Sequence, residues 1–208
     1  MGLAARDERP ARTDPPEPTW EIAYLFPAQG AWSEEEYLAL NANRLVEFSH
    51  GRLEVLVMPT ELHQQVVLYL YRALHQVVSA ARLGLVLVAP LRVRLWPGKY
   101  REPDLVLMLA EHAARRHDAY WEGADLVMEV VSDDDRRRDV EIKRFEYARA
   151  AIPEYWIVDP SQGRITVLRL DGDRYLTHGE FAGGSQATSA LLPAFSVDVA
   201  ETLSPRSV

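Results

Sequence analysis

A carboxylate stands in the middle of the apolar run Asp125-Leu-Val-Met-Glu-Val-Val131. Alternation along a strand puts Asp125, Val127, Glu129 and Val131 on one face and Leu126, Met128 and Val130 on the other. Both faces are mostly apolar, the pattern of a central strand covered on both sides. A carboxylate there is costly unless it is paired or coordinated. Asp104 poses the same problem at the head of a second apolar strand, Asp104-Leu-Val-Leu-Met-Leu109. If the two strands are neighbours, the two carboxylates can face each other. At about 4 Å and an effective dielectric near 20 they repel by about 4 kcal/mol, which a divalent cation or a shared proton would relieve. Oxygen donors in a chain without cysteine suit Mg2+ or Mn2+. Lys143 lies on the helical pattern that follows, with Asp139 four residues before it as a partner on the same face. Asp104, Glu129, Lys143 and a metal form a constellation for phosphodiester hydrolysis. The same residues admit a plainer reading, a buried Glu129–Lys143 salt bridge and a turn cap at Asp104 after Pro103.

These residues need elements to hold them. Ser33-Glu34-Glu35-Glu36 has the form of a capping box before a short helix through Leu40. Leu45 to Phe48 and Leu53 to Met58 flank Ser49-His50-Gly51 as a hairpin. Thr60 caps the longest helical pattern, with Leu62, Val66, Leu70, Leu74, Val77 and Ala81 on one face and Gly84 as its stop. Beyond it the period switches to two. Leu91, Val93 and Leu95 alternate with Arg92 and Arg94, and Trp96-Pro97-Gly98-Lys99 is a turn. The helix of Asp139 to Ala151 shows Ile142, Phe145, Ala148 and Ile152 on one face and ends at Pro153. Tyr155 to Val158 is a short buried strand in which Tyr155 and Trp156 are core aromatics. Arg164 to Leu170 and Arg174 to His178 flank Asp171-Gly172-Asp173 as a second hairpin, with edge strands after it to about Val199. The order of elements defines an α/β (α+β) fold around a mixed sheet. Residues 1–18, rich in Pro, Arg, Asp and Glu, read as a disordered tail, and residues 19–208 as a single domain.

The segments YREPDLVLML (100–109), GADLVMEVVSDDDRRRDVEIKRFEYARAAIPEYWIVDP (123–160) and ITVLRL (165–170) resemble the Uma-two family of restriction-endonuclease-like proteins, within the PD-(D/E)XK nuclease superfamily. HGRLEVLVMPTELHQ (50–64) is a weaker match, and the resemblance spans Trp32 to Val199. It implies a restriction endonuclease-like core: a central mixed β-sheet flanked by helices, with an N-terminal β-hairpin and C-terminal strands. Pro103-Asp104 resembles the family's PD, and Glu129 the acidic residue of its second half-motif. The resemblance makes the Val130 carbonyl a further metal ligand beside Asp104 and Glu129. Val131 stands where the strict motif has lysine, and the lysine comes instead from the next helix as Lys143. The implied activity is a metal-dependent endonuclease leaving a 5′-phosphate, acting on DNA, with RNA or branched structures also open. A nuclease fold without turnover, serving as a nucleic-acid or protein-binding module, is the alternative. Glu54 and His63-Gln64 match the family's upstream pattern and could line the site; as plainer readings Glu54 is a solvated strand residue and His63 a first-turn helix residue.

The whole chain sets limits. It has 208 residues, no cysteine and a formal net charge of −8, which excludes a broad basic coat for nucleic acid but not a local basic groove. Absence of cysteine rules out thiolate metal sites and fits a cytoplasmic location. No apolar run is long enough to span a membrane, and the N-terminus lacks the apolar core of a secretory signal. There is no GxSxG, Walker or GxGxxG motif, and His112 and His117 lack zinc-site spacing. Arg92, Arg94, Lys99 and Arg101, with Arg136, Arg137, Arg138, Arg144 and Arg149, are expected at the rim of the site as phosphate contacts, or as a solvated surface in which Arg136 to Arg138 neutralise Asp133 to Asp135. A homodimer is expected, joined along an exposed strand edge near the C-terminus.

Overall fold

The two apolar strands of the sequence pair side by side. In the computed structural model, which describes residues 26–41, 44–132 and 136–205, strand β6 (Leu105–Leu109) runs antiparallel to β8 (Leu126–Val130). Leu105 is registered with Met128, so Asp104 falls one step on, level with Glu129. β8 in turn runs parallel to β9 (Glu154–Asp159), the only parallel pair of this sheet among the described residues. The sheet continues through β10 (Arg164–Asp171) to β11 (Arg174–Ala182) on one side. On the other it ends at β3 (Gly84–Val88) beside β6, giving the order β11-β10-β9-β8-β6-β3. The expected tail over residues 1–18 and the acidic run 133–135 lie outside the described residues.

Every residue of β8 is buried, as its doubly apolar pattern requires. One face of the sheet meets helix α2 (Glu61–Ala80), whose Val66, Leu70, Leu74 and Val78 pack on Leu107, Leu126, Met128 and Trp156. The stripe differs slightly from expectation: Leu62 is exposed, and Val78 rather than Val77 is fully buried. Thr60 caps α2 through its side chain to the His63 N–H. Gly84 is not its stop. The helix closes at Ala81 and Arg82, with Arg82 at φ 52 and the Leu83 N–H bonded to the Val78 carbonyl, a Schellman closure. Gly84 opens β3 instead, where a Cβ would meet the Met108 carbonyl oxygen at 2.1 Å.

The opposite face carries Val106, Met108, Val127 and Tyr155 and packs against Tyr147 and against Val93 and Trp121 of a second, five-stranded sheet. That sheet orders β2 (Arg52–Val55), β1 (Val46–Ser49), β5 (Lys99–Arg101), β4 (Val93–Trp96) and β7 (Trp121–Glu122). The N-terminal hairpin is therefore the edge of its own sheet, under helix α1 (Glu34–Ala39) with its full capping box. Tyr37, Val46, Phe48 and Tyr100 make a third apolar cluster there. The C-terminal strands β12 (Gln186–Thr188) and β13 (Ser196–Asp198) pair with each other, and helix α4 (Val199–Leu203) follows. Among the described residues, no helix is long and apolar enough to cross a membrane.

The segment between β8 and β9 departs from the sequence pattern. A π-helical turn, Arg138–Ile142, precedes helix α3 (Lys143–Arg149), and the Lys143 N–H reaches back to the Arg138 carbonyl. Ile142 and Phe145, expected on the buried face, are exposed. Asp139, Lys143 and Tyr147 point inward instead, at intervals of four. Burying them is tolerable because Glu129 and each other supply their partners.

Candidate active site

Glu129 projects from the face of β8 turned toward α3, and both carboxylate oxygens are engaged. The Lys143 ammonium lies 2.9 Å from Oε2, and the Tyr147 hydroxyl donates to Oε1 at 2.5 Å. Lys143 also reaches Asp139 Oδ1 at 2.9 Å, the four-residue pair expected from the sequence. Asp104 leans across the strand ends and accepts the Val130 N–H at 2.8 Å. His63, on the first turn of α2, brings Nε2 to 3.2 Å from the same oxygen. The three residues expected to act together, Asp104, Glu129 and Lys143, do converge, and all line one cavity of about 480 Å3 with Val130.

Carboxyl groups crowd this point: Asp104, Glu129 and Asp139 all act on Lys143, and His63 stands on Asp104. Burial, with Asp104 and Asp139 nearby, pushes the Glu129 carboxyl up to about 8 against the pull of Lys143 and Tyr147. Burial opposes the charge on Lys143, but Glu129 and Asp139 outweigh it and hold the ammonium above its ordinary value. Burial would likewise lower His63, but its bond to Asp104 and the charges of Asp104 and Glu129 raise it. A cation can take the place of the proton that so crowded a carboxyl otherwise keeps. Asp104, Glu129 and the Val130 carbonyl are hard oxygen donors, and Mg2+ is commonly held by one or two carboxylates while keeping several waters. Their chemistry fits such an ion, although no three His, Asp or Glu side chains among the described residues converge as a complete ligand set.

The expected basic rim is arranged differently. Arg101 is buried and bonded to Glu47 and Glu146, and Lys99 pairs with Glu146 as well. Arg138 joins Glu47 and Glu54, which ties the start of the π turn to the hairpin. Arg92 donates to the Leu38 and Leu40 carbonyls, Arg94 pairs with Glu122, and Arg149 lies over the Trp96 ring. Arg136 pairs with Asp159, Arg137 with Glu141, and Arg144 donates to the Tyr175 carbonyl. Most of these cations serve carboxylates and carbonyls of the fold, because the acidic excess supplies partners within reach. Glu54 is half exposed and belongs to the Arg138 pair. Gln64 lines a neighbouring cavity, and His112 and His117 go to separate partners, Asp125 and Glu122.

Sequence reasoning missed two residues. Glu47 is fully buried behind the site, with Lys143 among the charges acting on it. Its signal was the one that marked Glu129, a carboxylate inside an apolar strand, here between Val46 and Phe48. Tyr147 gave no signal, since a helical tyrosine reads as core. Tyr155 is core as expected, and its hydroxyl also holds the Asp139 carbonyl at 2.8 Å, pinning the π turn to β9.

Strand pairing, helix placement and this cluster define a restriction endonuclease-like α/β fold. Residues 34–200 match the Uma2 family, described as "Putative restriction endonuclease", and the chain belongs to that family. It is also similar in fold to a solved structure from Anabaena variabilis ATCC 29413, described as a putative nuclease belonging to DUF820. The TM-score is 0.69 at 16% identity, covering 83% of this chain and 98% of that one. No curated protein matches the chain.

Proposed function

We propose that the protein is a metal-dependent endonuclease that hydrolyses phosphodiester bonds in DNA. The observation that carries this reading is the meeting of Asp104 and Glu129 from neighbouring strands, with Lys143 on Glu129, in one cavity. Asp104, Glu129 and the Val130 carbonyl would hold Mg2+ or Mn2+. When bound, such an ion polarises the phosphodiester and makes water a stronger nucleophile near neutral pH. Lys143, held as an ammonium by Glu129 and Asp139, is poorly suited to take a proton. Its role is to orient the attacking water and neutralise charge developing on the phosphate oxygens. Tyr147 fixes the Glu129 carboxyl, and the Val130 N–H fixes Asp104, so both are oriented before substrate arrives.

A cleavage assay at low salt on circular single-stranded DNA and on duplex plasmid, with Mg2+, Mn2+ or EDTA, tests this. Cleavage is expected only with metal, and Glu129→Gln and Lys143→Met are expected to reduce it by about a hundredfold or more. Both substitutions keep side-chain volume, but Lys143→Met takes the cation from Glu129 and Asp139, so cleavage is compared per folded molecule, with circular dichroism and melting read for each variant. Robust cutting by either variant removes the assignment. The second reading, a silent nuclease-fold module, is favoured by Val131 in place of a motif lysine and by the engagement of both Glu129 oxygens. It predicts no Mn2+ heat in calorimetry, whereas the nuclease predicts Mn2+ binding lost in Asp104→Asn. If the substrate is a duplex, both strands need a site, and a homodimer joined along an outer strand such as β11 would supply the second. Sedimentation showing monomer alone counts against that arrangement.

A further inference from the structure

The chemistry lies at a floor rather than on a surface. The Glu129 and Lys143 side chains are 3% and 5% exposed, and Asp104 is 15% exposed. Above them the first cavity has walls of Leu45, Leu56, Val57, Met58 and Leu62. A second cavity of about 490 Å3 adjoins it, and the two share Leu45, Met58, Pro59, His63 and Asp104. Each is within the roughly 300–1,000 Å3 that takes one ligand of drug size, the scale of a single nucleoside. Asp104 and His63 therefore stand on the partition between two nucleoside-sized spaces. Val57, Met58 and Leu68 are exposed apolar side chains at the lip. Cations are few and local: Lys143 and Arg138 line the first cavity, and the exposed Arg44 lines the second.

We propose that the site takes an unpaired nucleic-acid strand, with the scissile phosphate at Asp104 and its two flanking nucleosides in the two cavities. The inference rests on the nuclease reading and names its substrate class. A base-paired phosphate stays on the outside of a stiff stack, with both neighbouring nucleosides held in the helix. It cannot descend to carboxylates this buried. An unpaired strand can turn its bases out of the stack and lay them on apolar walls while its phosphate drops between them. The pairing of Arg94, Arg101, Arg136 and Arg137 with carboxylates of the fold agrees, since it leaves fewer cations for the roughly 6–10 phosphate contacts of an extended duplex grip.

The test compares one labelled oligonucleotide as a single strand and in a blunt duplex, as DNA and as RNA. Cleavage by wild type with Mn2+ and binding by Asp104→Asn, read as fluorescence anisotropy, are both measured. The single strand is expected to be cut and bound about tenfold better than the duplex. Adding Met58→Glu to Asp104→Asn is expected to weaken single-strand binding about fivefold or more, because a carboxylate replaces an apolar lip contact. A duplex cut as fast as the single strand overturns this proposal and leaves the nuclease reading standing. A single strand bound preferentially but never cut removes the nuclease reading and keeps the occupancy. Binding of neither, or no effect of Met58→Glu, overturns the proposal. The DNA and RNA arms identify the sugar that the two cavities accept, and a preference for the single strand in either arm supports the proposal.

Discussion

Glu129 and Glu47 are both carboxylates embedded in strands, and their surroundings drive them in opposite directions. Glu129 meets two further carboxylates and one lysine, so burial wins and its carboxyl rises. Burial acts on Glu47 too, but Lys143, Arg101 and Arg138 outweigh it and lower its carboxyl to about 2. A folded value below the ordinary 4.5 means the folded state binds its proton less readily than the unfolded chain. The stabilisation is present in full above 4.5 and is lost as pH falls toward 2. It amounts to about 3 kcal/mol. Urea unfolding of Glu47→Gln should show lower stability than wild type at pH 7 and a flatter decline between pH 4.5 and 2. Equal declines would show that Glu47 does not carry the acid sensitivity. Of the candidate site residues, Asp104 and Glu129 were legible in sequence as carboxylates at the head and in the middle of apolar strands, and Lys143 by Asp139 four residues before it and by the family resemblance. His63 was ambiguous because a first-turn histidine is unremarkable until the strand it faces is known.

At the scale of elements, the π turn decides which face of α3 is used. It inserts a residue into the helical count and is anchored by Arg138 to Glu47 and Glu54 and by Tyr155 to the Asp139 carbonyl. A straight helix on the apolar stripe would have buried Ile142 and Phe145 and turned Lys143 away. Such turns have no simple hydrophobic period, so the inward face could not be read from spacing. The role of Gly84 is equally tertiary. Its missing Cβ lets β3 approach β6, against a carbonyl and a Cα that cannot move aside. Gly84→Ala should cost about 1–3 kcal/mol and lower the melting temperature by roughly 2–10 °C. It lies at the far end of β6 from Asp104, so cleavage per folded molecule should be unchanged. An unaltered melting curve would mean that the strand shifts freely.

Over the whole molecule, charge is arranged for internal cohesion more than for an extended grip. The formal net charge is −8, and the arginines expected at the rim chiefly hold carboxylates and carbonyls of the fold. With Arg44, Arg138 and Lys143 as the only lysines and arginines among the described residues lining the two cavities, and Arg138 and Lys143 already paired with carboxylates, single-strand binding should fall with salt at a slope no steeper than about −2 in log–log form. A slope near −6 in an anisotropy titration would indicate a long backbone contact elsewhere on the surface. This corrects the basic-groove expectation drawn from the clustered arginines. Clustering in sequence shows that cations are close together, whereas the carboxylates that reach them come from other strands.

The sequence by itself determined the capped helices, the doubly apolar strands and the two carboxylates out of place in them. These are local signals, set by periods of two and 3.6 residues and by the cost of burying charge. It also carried the family and hence the fold. Only the tertiary structure decided that the N-terminal hairpin belongs to a second sheet, that His63 stands on Asp104, that Glu47 locks Arg138, and that the site opens into two adjoining cavities. Each of these joins residues tens of positions apart, and a pairing across that distance is fixed by strand register and packing rather than by any repeat along the chain.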